Sequence, residues 1–201
     1  QLKNHHDERS MVVLRPADGE ETVMAWKLAV EEHRPVALVL SRQNIKTLPT
    51  LGAIRREEAA QVAKGGYVVM DAAKPAAVLI ATGSEVATLV EGAELLAAEG
   101  IQARVLNMAT VRPIDAEAIV AAARDTGAIL TAEEHSVYGG LGSAVAEVVV
   151  AEVPVPMKIL GVPGIFAPTG SAEFLLDEFG MSPAAVAEAA KALIARKPAR
   201  A

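Results

Sequence analysis

The chain has 201 residues, a formal net charge of −6 at pH 7 and no cysteine. That length allows one large or two small domains with a core that needs no covalent staple, while the lack of cysteine excludes disulfides, thiolate metal sites and a cysteine nucleophile. An acidic balance without a basic tract argues against nucleic acid as a partner, and no apolar run reaches the roughly 18 residues of a membrane helix, so a membrane is not expected either.

The first residues, Gln1 to Arg9, are polar and do not read as a signal peptide. With no initiator Met and no cysteine, the chain is expected to be a processed product or a fragment, and cytoplasmic. His5 and His6 are expected on the surface. Met11–Leu14 reads as a strand that stops at Arg15-Pro16, because proline has no N–H for a ladder. Asp18 is a helix N-cap, with Glu21 three residues on as in a capping box. Val23, Trp26 and Val30 form the apolar stripe of that helix. After Arg34-Pro35, Val36 to Leu40 is a continuous apolar run. Its lack of alternation predicts a strand buried on both faces, as in a parallel sheet. These elements make one β-α-β unit.

Residues 45–75 are punctuated by Pro49, Gly52, Gly65-Gly66 and Pro75. They read as a linker with one short strand at Tyr67–Met70, and Arg55-Arg56-Glu57-Glu58 reads as a solvated charged face. From Ala76 strand and helix alternate. Ala77–Ala81 is a strand. Ser84 caps a helix with a stripe at Val86, Leu89, Val90, Ala93, Leu96 and Ala97, closed by Gly100. Ala103–Leu106 is a strand, followed by a helix capped by Asp115, stapled by Ile114 and Ile119 and ended at Gly127. Ala128–Thr131 is the third strand. A turn over Gly139–Ser143 leads into a helix at Ala144–Ala151, and Met157–Val162 is the fourth strand. Two helices close the chain, the last opened by Ser182-Pro183 with Val186, Ala189, Ala190, Leu193 and Ile194 as its stripe. The fold class is therefore α/β: a mostly parallel open twisted sheet with helices on both faces, preceded by a partial β-α-β unit.

Four segments carry candidate chemistry. Ser41-Arg42-Gln43-Asn44 follows a predicted parallel strand, and open parallel sheets bind ligands beyond the carboxyl ends of their strands. The planar fork of Arg42 suits a phosphate or a carboxylate; the alternative is an ion-paired Arg at a sheet edge. Gly139-Gly140-Leu141-Gly142-Ser143 could cradle a phosphate at a helix start, but it matches a dinucleotide fingerprint poorly, and close helix packing or a subunit contact is the favoured reading. Glu133-Glu134-His135 follows a strand; a polar contact between domains is favoured there over acid-base work or metal ligation. Thr82-Gly83-Ser84 is favoured as a bare helix cap over an anion site.

The residues resemble transketolase. Leu14-Arg15-Pro16-Ala17-Asp18, Glu21-Thr22, Ala25-Trp26 and Leu40-Ser41-Arg42-Gln43-Asn44 resemble the end of its pyrimidine-binding domain. Ala81-Thr82-Gly83-Ser84-Glu85, Arg112-Pro113, Glu134-His135-Ser136 and the run from Tyr138 to Glu147 resemble its C-terminal domain, as do Gly161-Val162, Phe166-Ala167 and Phe179-Gly180-Met181. The later block is shared more loosely with 1-deoxyxylulose-5-phosphate synthase and with the beta subunit of pyruvate dehydrogenase, a 2-oxo acid dehydrogenase.

The resemblance implies a domain order: residues 1–50 end a pyrimidine-binding domain, 51–75 link, and 76–201 form the C-terminal domain, with one antiparallel edge strand. It implies a parent enzyme that moves a two-carbon ketol unit between sugar phosphates, in the pentose phosphate pathway, with thiamine diphosphate and Mg2+ or Ca2+. In that family the Arg of the Ser-Arg-Gln segment binds the sugar phosphate, which by match is Arg42, with Ser41 beside it. The diphosphate-binding domain, the metal ligands and the catalytic groups of the family have no match here. The chain alone is expected to bind no cofactor or metal, to hold no catalytic residue and to turn over nothing. Its partners would be the remainder of the transketolase chain and a second copy, as a homodimer. The rival reading is a stand-alone dimerisation or effector-binding module with Gly139–Ser143 as its contact. One β-α-β unit cannot cover both faces of two strands, so residues 1–50 are expected to be less stable than the rest.

Overall fold

The computed structural model describes residues 11–197, so His5 and His6 lie outside the described part. The elements run β1 (Val12–Leu14), α1 (Gly19–Glu31), β2 (Val36–Leu38), α2 (Arg55–Ala59), a 3-10 helix (Ala60–Lys64) and β3 (Gly66–Met70). They continue with β4 (Ala77–Ala81), α3 (Glu85–Ala98), β5 (Ala103–Met108), β6 (Thr110–Arg112), α4 (Ala116–Thr126) and β7 (Ile129–Ser136). The chain closes with α5 (Leu141–Glu152), β8 (Met157–Val162), α6 (Ala172–Glu178) and α7 (Pro183–Ile194).

Two sheets result. The larger is five-stranded in the order β3-β5-β4-β7-β8. β5, β4, β7 and β8 are parallel, and β3 runs antiparallel on β5 at the edge. All five residues of β4 are buried. Successive side chains of a strand point to opposite faces, so Ala77, Leu79 and Ala81 join one core with Leu89 and Leu96 of α3 and Val186 and Leu193 of α7. Val78 and Ile80 join a second core with Ile119 of α4 and Val145 and Val149 of α5. Each fully buried aliphatic side chain of these layers contributes about 1.5–3 kcal/mol. Helices on both faces explain why the strand sequences are apolar without alternation.

The helix signals act as their chemistry dictates. Asp18 has extended backbone and accepts the Glu21 N–H at 2.9 Å. Asp115 accepts the Ala118 N–H at 2.9 Å, and Gly127 ends α4 in the left-handed conformation at φ 69°. Ser84 and Ser182 stand at the N-cap positions of α3 and α7 without a side-chain cap bond. Ser182 Oγ bonds Asp177 Oδ1 at 2.8 Å instead.

The smaller sheet, β2-β1-β6, departs from the sequence expectation. β1 pairs in parallel with β2, as a β-α-β unit requires, and antiparallel with β6 on its other side. β6 belongs to the later part of the chain, so the first unit does not stand alone. β2 ends at Leu38 with all three residues half-buried, and Val39 and Leu40 are 44% and 49% exposed. The predicted doubly buried strand over Val36–Leu40 is therefore an edge strand, with no strand beyond it among the described residues. The predicted stripe of α1 is also corrected. Trp26 and Val30 are 54% and 80% exposed, while Glu21 and Ala25 are buried. Hydrophobicity alone chose the wrong face, because the buried face carries a carboxylate that has its own partners.

Those partners come from the charged run in the presumed linker. Residues 51–75 hold α2, the 3-10 helix and β3, and β3 is the antiparallel edge strand that the resemblance implies. Arg56 and Glu57 are exposed as expected, but Arg55 and Glu58 are buried. Arg55 Nε donates to Asp18 Oδ2 at 2.6 Å, and its Nη2 donates to Glu21 Oε1 at 3.1 Å and to the Tyr67 hydroxyl at 2.7 Å. The Tyr67 hydroxyl and Asn107 Nδ2 also donate to Glu21 Oε1, and the Ala17 N–H donates to Glu21 Oε2 at 2.7 Å. Asp18 Oδ2 also takes the Leu48 N–H at 3.1 Å. Burial pushes the Glu21 carboxyl up from its ordinary value, and the hydrogen bonds of Tyr67 and Ala17 and the Arg55 charge oppose it. Burial likewise pushes the Tyr67 hydroxyl up, reinforced by Glu21.

Removing one partner of a buried ionic network strands the others, at a cost of about 3–5 kcal/mol. Arg55→Ala is therefore expected to lower the urea-unfolding free energy by that amount. Arg56→Ala removes an exposed pair with Glu20 and is expected to cost under about 1 kcal/mol. Equal effects of the two substitutions contradict a structural role for the buried network.

Candidate functional site

Strand ends from both sheets converge on one cavity of about 320 Å³. Arg15 and Pro16 follow β1; Val39 to Gln43 follow β2; Gly83 and Ser84 follow β4; Glu134 lies on the last part of β7. The cavity is thus at the carboxyl ends of parallel strands, where the helix amides that follow point outward and ligands of open α/β sheets are held.

Arg15 builds the floor. Its Nη1 donates to Glu133 Oε1 at 2.9 Å, and its Nη2 lies 4.0 Å from Glu134 Oε2. Glu133 passes the connection on: its other oxygen accepts the Leu141 N–H at 2.7 Å, at the start of α5. The Arg15 backbone bridges the sheets, with its N–H on Ala109 O at 2.8 Å and its carbonyl accepting the Gly83 N–H at 3.1 Å. Gly83 has φ 62°, and a Cβ there would stand 2.7 Å from Arg15 Nε. Both the left-handed backbone and the close approach of Arg15 require glycine at this turn.

Arg42 lies on the opposite wall. It is exposed, and among the described residues no carboxylate pairs with its guanidinium. Ser41 Oγ donates to Gln43 Oε1 at 2.9 Å and accepts the Gln43 N–H at 3.1 Å, which folds the segment into a tight turn. Ser84 Oγ donates to Glu134 Oε2 at 3.1 Å, so it closes the rim instead of capping α3. The cavity therefore offers one free guanidinium, one tethered guanidinium, two hydroxyls and one carboxylate at the rim. Such a set can orient a polyhydroxylated anion.

Beside it, Glu85 in the first turn of α3 is buried. Burial pushes its carboxyl up to about 7; Glu134 adds to the rise, while Arg15 and Thr88 oppose it. The remaining candidates resolve differently. Glu133, Glu134 and His135 are on β7, which extends well past the predicted end at Thr131. Among them Glu134 reaches the cavity, and His135 Nδ1 bonds the Ser136 carbonyl at 2.7 Å. In the Gly139–Ser143 turn, a Cβ on Gly142 would stand 2.5 Å from Ile159 Cγ2 and 2.9 Å from Thr131 Oγ1. That glycine lets α5 lie tight against the sheet, as the packing reading has it. Sequence reasoning missed Arg15 as a cavity residue and treated Ser84 and Glu134 as unrelated. The available signal was positional, since each stands at or just beyond the carboxyl end of a strand. Among the described residues no group of three His, Asp or Glu side chains could hold a metal ion.

Comparison with known proteins places this geometry. The family "Transketolase, C-terminal domain" matches residues 66–186. The 6-deoxy-6-sulfo-D-fructose transketolase subunit of Clostridium sp. (strain MSTE9) is 35% identical over 193 residues, covering 93% of this chain and 56% of the relative. The 1-deoxy-D-xylulose-5-phosphate synthase 1 of Geobacter sulfurreducens is 35% identical over 191 residues, covering 94% of this chain and 29% of that protein. A solved split-gene transketolase, described as an inactive beta4 tetramer, superposes with a TM-score of 0.82 at 37% identity, over 94% of this chain and 59% of its own. A transketolase from Pichia stipitis in complex with sedoheptulose-7-phosphate gives 0.70 at 29% identity, over 92% of this chain and 25% of its own. The chain thus spans between a quarter and about three-fifths of these relatives. With a family match over most of its length and a shared fold, the chain belongs to the transketolase family, whose C-terminal domain it carries at residues 66–186.

Proposed function

We propose that the chain is the C-terminal portion of a transketolase whose assembled enzyme moves a two-carbon ketol unit between sugar phosphates, and that Arg42, with Ser41 beside it, holds the phosphate. The observation that carries this reading is the exposed Arg42 guanidinium on a cavity wall formed by strand ends of both sheets. A guanidinium fork takes two phosphate oxygens at once, which fixes orientation as well as position. The polar rim of Ser41, Gln43 and Ser84 suits the hydroxyls of a sugar.

In this reading residues 1–50 end a pyrimidine-binding domain, 51–75 connect, and 76–201 form the C-terminal domain, with β3 of the connecting span completing its sheet. The assembled enzyme uses thiamine diphosphate and a divalent cation. In this reading those groups are held by the remainder of the transketolase. The chain's own part is to bind and orient the sugar phosphate, and alone it turns over nothing. The split-gene relative, an inactive tetramer, supports both a separate C-terminal subunit and its self-association. Its functional partners are the remainder of the transketolase and a second copy.

In the assembled enzyme, Arg42→Ala is expected to lower kcat/KM for phosphorylated sugars by about 10- to 150-fold, the loss of a charged hydrogen bond of roughly 1.5–3 kcal/mol. An unphosphorylated acceptor is expected to be far less affected. Steady-state kinetics with both substrates decide it: equal losses make Arg42 structural.

A further inference from the structure

The stretch from the end of β8 through α6 has no core of its own. Residues 163–170 are all exposed and none is charged, in a chain that is 22% charged. No residue of α6 is buried either. Within this stretch Phe166 is fully exposed, Ile165 is 61% exposed, and Phe174 of α6 packs over Gly170 with its outer side in solvent. Tyr138, in the loop after β7, is 73% exposed and lies against the same segment: a Cβ on Gly164 would stand 3.3 Å from Tyr138 Cε2. An exposed apolar surface without charge, carried on aromatic rings, has the composition of the centre of a protein–protein interface.

The position of this surface selects its occupant. β7 and β8 run parallel to β4, so the Tyr138 and Ile165 loops leave the sheet at the same end as Gly83 and Ser84 of the first cavity. α6 joins the two places: Ala172 and Leu176 line a second cavity, which shares Gln43, Ser84 and Glu134 with the first. A sugar phosphate anchored at Arg42 reaches a cofactor only if the body that carries the cofactor sits at the mouth of that cavity, and therefore at this end of the sheet. On the transketolase reading above, on which the partner's identity rests, we propose that Tyr138, Ile165 and Phe166 are the docking surface for the remainder of the enzyme, the part that holds thiamine diphosphate. The contact is apolar, with Phe166 as the anchor that enters an uncharged pocket of that part. Docking there closes the first cavity from its open side and sets the distance between the cofactor and the anchored sugar.

The chain has no cysteine, so Phe166→Cys gives it a single thiol at a position that no core packing depends on. Maleimide labelling at residue 166, followed by peptide mass, is expected to be at least about tenfold slower in the assembled enzyme than in the chain alone, because the centre of an interface excludes solvent. Val150→Cys, exposed on α5, is expected to label at the same rate in both. In the assembled enzyme Phe166→Ser is expected to lower kcat/KM by at least about tenfold, and equally for phosphorylated and unphosphorylated acceptors, since it displaces the cofactor and not the phosphate. Equal labelling at residue 166 in the two states, slowing no greater than at Val150→Cys, slowing in the chain alone as its concentration rises (a second copy as the occupant), or unchanged kinetics of Phe166→Ser would each overturn the proposal. Protection of residue 166 without the substrate selectivity expected of Arg42→Ala refutes the phosphate site and keeps the docking surface; that selectivity without protection refutes the docking surface alone.

Discussion

Arg55 holds a charge inside the protein because Asp18, Glu21 and Tyr67 surround it, and the relation between the two sheets depends on that arrangement. Asp18 and Glu21 belong to the first turn of α1 and its cap, Tyr67 to β3 and Asn107 to β5. One guanidinium therefore ties the N-terminal unit to the edge of the five-stranded sheet. Matching the donors and lone pairs around a buried charge restricts the geometry more than apolar contact does; here Arg55 Nε and Nη2 are matched, while Arg55 Nη1 and Asn107 Oδ1 have no hydrogen-bond partner among the described residues. The apolar side agrees: Val12, Leu14 and Ala25 share one core with Leu79 and Leu130.

The functional consequence lies at the strand ends. Fixing α1 against β3 and β5 also fixes β1 and β2 relative to β4 and β7, and the first cavity exists only where those four ends meet. Arg15 secures the junction through Glu133 and the Ala109 and Gly83 backbone, and Glu133 carries it to the start of α5. Arg15 is thereby consumed in structure, while Arg42 on the opposite wall has no carboxylate paired with it among the described residues. The two arginines differ in their partners, not their type.

The architecture of the later part was legible in the sequence. Ala77–Ala81 and Met157–Val162 coincide with the strands found, and Asp115, Gly127 and the Ser182-Pro183 pair mark helix ends as predicted. These signals are local, set by backbone chemistry within a turn. The N-terminal part was less legible because its structure depends on distant residues. Glu21 read as the capping-box residue of α1, a local role, and is in fact buried against an arginine 34 positions away. Trp26 and Val30 looked like core and face outward. β6 was missed because three residues, Thr110–Arg112, carry too little periodicity to announce a strand, and its pairing with β1 joins Val13 to the distant Arg112. At the site, Arg42 was legible from its place after an apolar run. Its grouping with Arg15, Gly83 and Glu134 needed the topology.

The central claim is that the N-terminal unit and the C-terminal domain form one cooperative structure through the Arg55 network and the shared core. Native-state hydrogen exchange tests it most directly, by comparing the amides of Val12 and Arg15 and those of α1 with that of Val78 in β4. The account predicts one common opening free energy, sensitive to denaturant to the same degree in both groups. Early, independent exchange of β1 and α1, with β4 still protected, would contradict it and return the first fifty residues to the status of a loosely attached unit.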